Sequence, residues 1–301
     1  MNYTKRFQVK PGARFSLARL DPGDTAGIAD KSRAKRELEH GVARLDDAQE
    51  RLYAQNTWAV LIIFQAMDGA GKDGTIEHVM SGVNPQGVQV FSFKAPSAEE
   101  LDHDYLWRTV KALPERGRIG IHNRSHYEEV VITRVHPEVL ERQQLPAETR
   151  GPGLWARRYR EIRHWERYLH DNGTLVLKFF LHVSKDEQRR RFLNRLDEPE
   201  KHWKFSPADV RERAHWDRYM AAYEEAIRTT STRHAPWFVV PADHKWFTRL
   251  AVAEIIGDAL DGLGLRYPTV PKTRLLEWAG LRAELIAEEE ARPRRRGRRA
   301  R

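Results

Sequence analysis

Thr57-Trp-Ala-Val-Leu-Ile-Ile-Phe-Gln65 runs straight into Ala66-Met-Asp-Gly-Ala-Gly-Lys-Asp-Gly-Thr75, and this stretch decides how the chain folds. A continuous apolar run without alternation is how a strand reads when both faces of a parallel sheet are covered. In the loop that follows, Gly69, Gly71 and Gly74, with Ala70 and Asp73 between them, let backbone amides crowd around an anion. A helix beginning there adds partial positive charge, and Lys72 adds a full one. The stretch departs from G-x-x-x-x-G-K-[ST]: Ala66 stands at the first glycine and Asp73 at the hydroxyl position, while Thr75 offers a hydroxyl two residues on. The same residues would also suit a glycine-rich turn with a helix cap at Asp73. Placement directly after an apolar strand favours the phosphate cradle. Asp68 decides more than the glycines, because a carboxylate beside bound phosphate repels it. Either a divalent cation bridges the two anions, or the carboxylate prepares an attacking group. Both readings point to phosphoryl transfer.

Working outward, strands are expected at 87–93, 118–122, 174–182 and 237–240, besides 57–65. Helical patterns fill 31–54, 74–82, 98–113, 125–135, 154–171, 184–196, 207–230 and 244–263. Such alternation predicts an α/β fold, a parallel sheet of about five strands between two helical layers, with the ligand at the strands' carboxyl ends. Residues 1–56 read as an irregular arm and an amphipathic helix, 57–265 as the catalytic domain, and 266–301 as a C-terminal extension. Trp216, Tyr219, Tyr223 and Ile227 recur at helical spacing and read as core. Arg157, Arg158, Arg160, Arg163 and Arg167 read as the snorkelling face of a surface helix.

Composition bounds the function. The 301 residues carry 52 Lys+Arg against 43 Asp+Glu and no cysteine, which excludes thiolate catalysis, disulfides and Cys-bound zinc. Seven arginines lie in Arg292–Arg301, and without them 45 basic residues face 43 acidic ones. The positive charge therefore belongs to a tail, and nucleic acid is not the expected partner of the body. The longest apolar run is too short for a bilayer, and no apolar leader follows the N-terminus, so a cytoplasmic protein without membrane contact is expected.

A second motif, His122-Asn-Arg-Ser-His-Tyr-Glu-Glu129, ends the third strand. Asn123 occupies a place where an acid would bind metal, Glu128 stands one helical turn on to restore the charge, and Arg124 suits an acceptor phosphate. His122 and His126 straddle a strand end and a helix start, an arrangement ill suited to zinc. Farther on, Ser184-Lys-Asp-Glu187 caps a helix bearing Arg189, Arg190, Arg191 and Arg195. A loop with Lys201, Trp203 and Lys204 leads to a second helix capped by Ser206 and Pro207. Two helices joined by a basic, aromatic loop read as a lid, about 184–212. Arg191, Arg195, Lys201 and Lys204 are its expected phosphate ligands. Helix charges more often form a solvated face, and Asp186, Glu187, Asp197, Glu198 and Glu200 are there to pair with them.

Met67–Thr75, Gly82-Val-Asn-Pro-Gln-Gly87, Ser92-Phe-Lys-Ala-Pro-Ser97, Asn123-Arg-Ser-His-Tyr-Glu128 and Trp203-Lys-Phe-Ser-Pro207 together resemble the polyphosphate kinase 2 family. The resemblance covers roughly residues 5–265, and the Asn-Arg version of the second motif resembles its class III branch. It implies a P-loop kinase that moves phosphoryl groups reversibly between inorganic polyphosphate and AMP, ADP and ATP, with guanine nucleotides as further acceptors. It implies Mg²⁺, with Mn²⁺ able to replace it, and a homo-oligomer, dimer or tetramer. Matching positions imply Asp68 as metal ligand or base, Lys72 as phosphate ligand, Asn123 and Glu128 as metal ligands, and Arg124 as a clamp on the transferred phosphate. Asn84, Phe93 and Lys94 fall where the acceptor nucleotide is held. The residues alone leave open an ATP-dependent nucleoside monophosphate kinase of thymidylate-kinase type, or a nucleic-acid-binding protein guided by the Arg tail.

Overall fold

Val60 through Phe64 are completely buried, so the apolar run of the sequence lies at the centre of a six-stranded sheet. The strands are β1 (Gln8–Val9), β2 (Ala59–Gln65), β3 (Val88–Ser92), β4 (Ile119–Asn123), β5 (Thr174–His182) and β6 (Trp237–Pro241). Their order is β1-β6-β5-β2-β4-β3, with every pair parallel except β1–β6. The computed structural model describes residues 1–291, and the arginine tail 292–301 lies outside the described residues.

Among the described residues, eight helices have eight or more residues: α1 (Lys31–Gln55), α2 (Lys72–Val79), α3 (Glu128–Val135), α4 (Leu154–Asp171), α5 (Lys185–Asp197), α6 (Trp216–Thr230), α7 (Lys245–Asp261) and α8 (Lys272–Ala291). Helix α7 packs along α1 and against α2, while α6 packs on α3 and α4. The two groups cover the sheet faces and give a three-layer α/β/α fold, as the alternating pattern predicts. Each fully buried aliphatic side chain in this core contributes roughly 1.5–3 kcal/mol. Trp216, Tyr219, Tyr223 and Ile227 are buried in it, as their spacing predicts.

Two expectations are corrected. The arm is not irregular throughout: Tyr3–Phe7 is helical, and Gln8 and Val9 pair antiparallel with Phe238 and Trp237, adding a sixth strand. Tyr3, Phe7, Val9 and Leu17 are buried, so the arm joins the core. Residues Met1–Arg266 accordingly form one compact unit, and a second begins at Tyr267. Nor is Arg158 a snorkelling surface cation. It is buried, donating to the Glu129 carbonyl (2.7 Å) and to Gln143 Oε1.

A buried polar network anchors the start of α3. Lys178 Nζ on β5 reaches Glu166 Oε2 (2.6 Å), Tyr127 OH (2.9 Å) and the Thr230 carbonyl (2.9 Å), while Tyr127 OH donates to Glu166 Oε1 (2.7 Å). Burial pulls the Lys178 ammonium down to about 8, opposed by Glu166. Because every partner is satisfied, the network holds Tyr127 firmly, and with it the two flanking residues of interest, Arg124 and Glu128. No helix among the described residues is long and apolar enough to cross a membrane.

Candidate active site

Strand β2 is the switch point of the sheet, with β5 on one side and β4 on the other, and the loops after β2 and β4 meet at its carboxyl end. The first loop turns through Gly69 (φ +78°) and Gly71 (φ +99°), the second of which caps α2. Both lie in the left-handed region that favours glycine. A Cβ on Gly69 would also sit 2.9 Å from Phe192 Cε1. The second loop begins at Arg124, which holds φ +65° while its amide donates to the Phe64 carbonyl (3.0 Å). An arginine in that region costs about 1–2 kcal/mol, strain retained here by the anchored loop.

The charged groups converge. Arg124 Nη2 donates to Asp68 Oδ1 at 2.5 Å, and Lys72 Nζ, itself buried, reaches the Ala66 carbonyl at 3.2 Å. Burial pushes the Asp68 carboxyl up, but Lys72 and Arg124 outweigh it and hold the group below the usual carboxylate range. Glu128 goes the other way, raised by burial that Arg124 and Lys72 only partly offset. Asn123 Nδ2 donates to Asp73 Oδ1 (2.6 Å), tying the end of β4 to the first turn of α2.

Over this junction lies a cavity of about 790 Å³, lined by the loop, Phe93, Lys94, Asn123, Arg124 and the lid. Among the described residues, no group of three or more His, Asp or Glu is gathered to hold a metal by itself.

A family description, Polyphosphate kinase 2 (PPK2), matches residues 28–264. The chain belongs to the polyphosphate kinase 2 family. Among family members, the ADP-polyphosphate phosphotransferase of Rhodopseudomonas palustris is 52% identical over 284 residues, 94% of this chain and 98% of that one. The AMP/ADP-polyphosphate phosphotransferase of Meiothermus ruber is 48% identical over 88% of this chain and 95% of its own. The crystal structure of polyphosphate kinase 2 from Arthrobacter aurescens TC1 superposes with a TM-score of 0.84 at 42% identity, covering 93% of this chain and 97% of that one.

Within this polyphosphate kinase 2 framework, the structure brings most of the sequence-predicted residues together. Asp68, Gly69, Gly71, Lys72, Asp73, Gly74, Phe93, Lys94, Asn123, Arg124, Arg195, Lys201 and Lys204 all line the one cavity. Glu128 lies behind them, coupled electrostatically to Arg124, Lys72 and Asp68. Lys204 Nζ sits 4.7 Å from the Trp203 ring, and Trp203 is 78% exposed on the lid. Lys201 pairs with Glu198 and Arg195 faces Asp209 at 3.6 Å, so both cations carry a local counter-charge.

Four of the expected residues have the group in question engaged within the protein. Asn84 is elsewhere: its side chain caps the turn at Pro85–Gly87 and lines a smaller cavity with Asp46, Gln49 and Glu50. Thr75 also lines the cavity, and its Oγ1 donates to the Gly71 carbonyl (3.0 Å), closing the first turn of α2. The Ala70 amide is used within the loop, bonding to the Met67 carbonyl (3.2 Å). Arg191 borders the cavity too, but it is buried and its guanidinium is engaged by backbone carbonyls.

Two cations missing from the sequence reading complete the site. Lys245 and Arg249, one turn apart on α7, line the same cavity. Burial and the neighbouring Arg191 and Arg249 lower the Lys245 ammonium, a mark of crowded positive charge. Their i,i+4 spacing on the first turns of the helix puts them on one face, and no motif marks them.

Beneath Phe93, the His122 ring packs edge-on at 5.0 Å, with Nε2 at 2.9 Å from the Ala112 carbonyl. That contact makes Nε2 the protonated nitrogen, and burial pushes the ring down to about 4. An unfolded His122 binds its proton near 6.5, so the folded state loses stability as pH falls from 6.5 toward 4 and is unaffected above 6.5. The shift corresponds to about 3 kcal/mol. His126, buried against Trp165, is displaced in the same direction. Urea midpoints should therefore fall between pH 7 and 4.5, and less steeply in His122→Phe. A flat wild-type profile would contradict neutral burial of both rings.

Proposed function

We propose that this enzyme transfers the terminal phosphoryl group of inorganic polyphosphate to ADP and to AMP, giving ATP and ADP, and catalyses the reverse reaction. The observation that carries the reading is the Asp68–Arg124–Lys72 cluster at the β2/β4 junction, opening into a cavity crowded with cations. The names of the two relatives described above support the donor and the acceptors.

The residues fit a bound Mg²⁺. Asp68 and Glu128 supply hard carboxylate oxygens, the Asn123 amide oxygen is left unused by its bond to Asp73, and Mg²⁺ takes one or two carboxylates beside substrate phosphates. When bound, the ion neutralises phosphate oxygens. Asp68, held anionic, suits a ligand better than a base. The terminal phosphate of ADP or AMP needs no base, being largely deprotonated at neutral pH with a second pKa of about 6.

The protein's own part is to position and neutralise. Gly69 and Gly71 amides and Lys72 grip the donor phosphates. Arg124, braced on Asp68, is placed to meet the transferred group, where charge spreads over the equatorial oxygens. Phe93 and Lys94 form the acceptor side. Arg195, Lys201 and Lys204 arrive with the lid, and Lys245 and Arg249 extend the cationic wall along which a polyphosphate chain would lie.

The deciding assay supplies polyphosphate, Mg²⁺ and ADP or AMP without ATP, and follows ATP by luminescence. ATP should form from either acceptor. No product, with ATP active as donor to a nucleoside monophosphate, would replace this reading with a thymidylate-kinase-type enzyme. No transfer from any donor, with nucleic-acid binding that depends on residues 292–301, would replace it with a binding protein.

A further inference from the structure

Three consecutive carbonyls of the phosphate loop are held from one side by a single helix face. Gln188 Nε2 donates to the Asp68 carbonyl (2.7 Å), and Arg191 Nη1 donates to those of Gly69 (3.0 Å) and Ala70 (2.8 Å). Phe192 fills the space where a Gly69 side chain would stand. These residues lie at i, i+3 and i+4 on α5, which places them on one face. In a planar trans peptide the carbonyl of one residue and the amide of the next point in opposite directions. Holding the Asp68 and Ala70 carbonyls toward α5 therefore directs the Gly69 and Gly71 amides away from it, and both glycines line the phosphate cavity.

Arg191 is only 5% exposed and reaches three separate segments. Besides the loop, its Nη2 donates to the Ala242 carbonyl (2.6 Å) and its Nε to Glu187 Oε1 (2.7 Å). Burying a guanidinium is costly, and an apolar residue would fill the volume without that cost. What the arginine adds is a fixed fork between the loop, the end of β6 and α5.

The lid returns to the same face. Its chain leaves α5 at Asp197, passes through Lys201 and Lys204 and the short helix Pro207–Glu212, and comes back at Arg213. Arg213 Nη1 donates to Gln188 Oε1 (2.6 Å) and to the Lys185 carbonyl (2.9 Å). Gln188 thus donates to the loop with one end of its amide and, with the other, accepts from Arg213, where the chain returns from the lid.

We infer that Gln188 and Arg191 are positioning residues for phosphoryl transfer: they aim the loop amides at the donor phosphates, and Gln188 links that aim to lid closure through Arg213. The inference rests on the proposed donor reaction, and the wild-type assay tests that reaction separately. Should wild type use ATP instead of polyphosphate, the same comparison is made with ATP as donor.

The experiment compares wild type with Gln188→Met, Arg191→Lys, Arg213→Met and the Gln188→Met/Arg213→Met double variant, each checked by thermal melting. Misaimed amides should raise KM for the donor about ten-fold, with KM for ADP changed less than three-fold, since proximity effects are steep in distance (order of magnitude). A purely structural strut would lower melting temperature and active fraction while leaving both KM values unchanged, and that result overturns the inference. The Arg213→Met effect on donor KM should largely vanish in the Gln188→Met background. Simple addition of the two effects would overturn the lid linkage. Should Arg191→Lys fail to fold, Gln188→Met and the double variant still decide the question.

Discussion

Arg124→Gly should lower turnover about a thousand-fold while leaving stability within about 1 kcal/mol of wild type, because effects of opposite sign nearly cancel in the fold. The substitution removes the guanidinium that meets the transferred phosphoryl group, a role for which arginines are worth about 10³-fold or more. It also relieves a non-glycine backbone at φ +65°, a gain of about 1–2 kcal/mol. Against this stand the greater flexibility of glycine in the unfolded chain and the lost pairing with Asp68, each worth about 1 kcal/mol or less. Steady-state kinetics with polyphosphate and ADP, together with a urea melt, measure both sides. Turnover within ten-fold of wild type would remove Arg124 from the transfer step. Arg124→Lys keeps a charge but loses the planar guanidinium that bonds Asp68, and should recover only part of the rate.

Lys72→Met should cost a comparable factor, about 10²–10³ in kcat, by removing the full charge from the phosphate loop. Its effect extends to the neighbouring acids. Lys72 is the main group holding the Asp68 carboxyl low, so its loss lets burial raise that carboxyl, and Glu128 loses a compensating cation as well. The acidic limb of the pH–rate profile should consequently move to higher pH in the variant. A variant with an unshifted acidic limb would separate Asp68 from the ionisation that governs rate. Met fills the aliphatic space of the lysine stem, so a large fall in melting temperature is not expected.

Much of the fold was legible because its signals are local and strong. The apolar run of β2, the loop glycines and the Ser184 and Ser206 caps each name their own structure, and the bounds of β5 and α4 follow from apolar periodicity alone. The site was legible where motif and strand end coincide, at Asp68, Lys72, Asn123 and Arg124. What sequence could not supply was direction. Arg191 looks like any lid cation, and only the packed structure shows that its guanidinium, at the cavity's edge, is engaged by carbonyls. Asn84 sits in a family motif, yet its side chain satisfies the turn that follows it. Thr75 sits one turn from the carbonyl it caps, a local bond that competes with any ligand. Lys245 and Arg249 reach the site from a helix far along the chain, with no glycine or motif to flag them. A two-residue strand such as β1 is too short to leave any periodicity.

The pairing of Gln8 and Val9 with β6 bears on the order in which the sheet folds. They form the first strand of the sheet in chain order, and their partners Trp237 and Phe238 lie in the last. Ser231 Oγ donates to the Val9 carbonyl (2.6 Å) and Thr4 Oγ1 to Asp258 (2.7 Å), bonds that span 222 and 254 positions. Contacts so distant in sequence form late, since the intervening loop must first close. Until they form, the outer side of β6 is an open template for strands of other chains. The arm thus covers that edge with a strand supplied by the same chain that presents it.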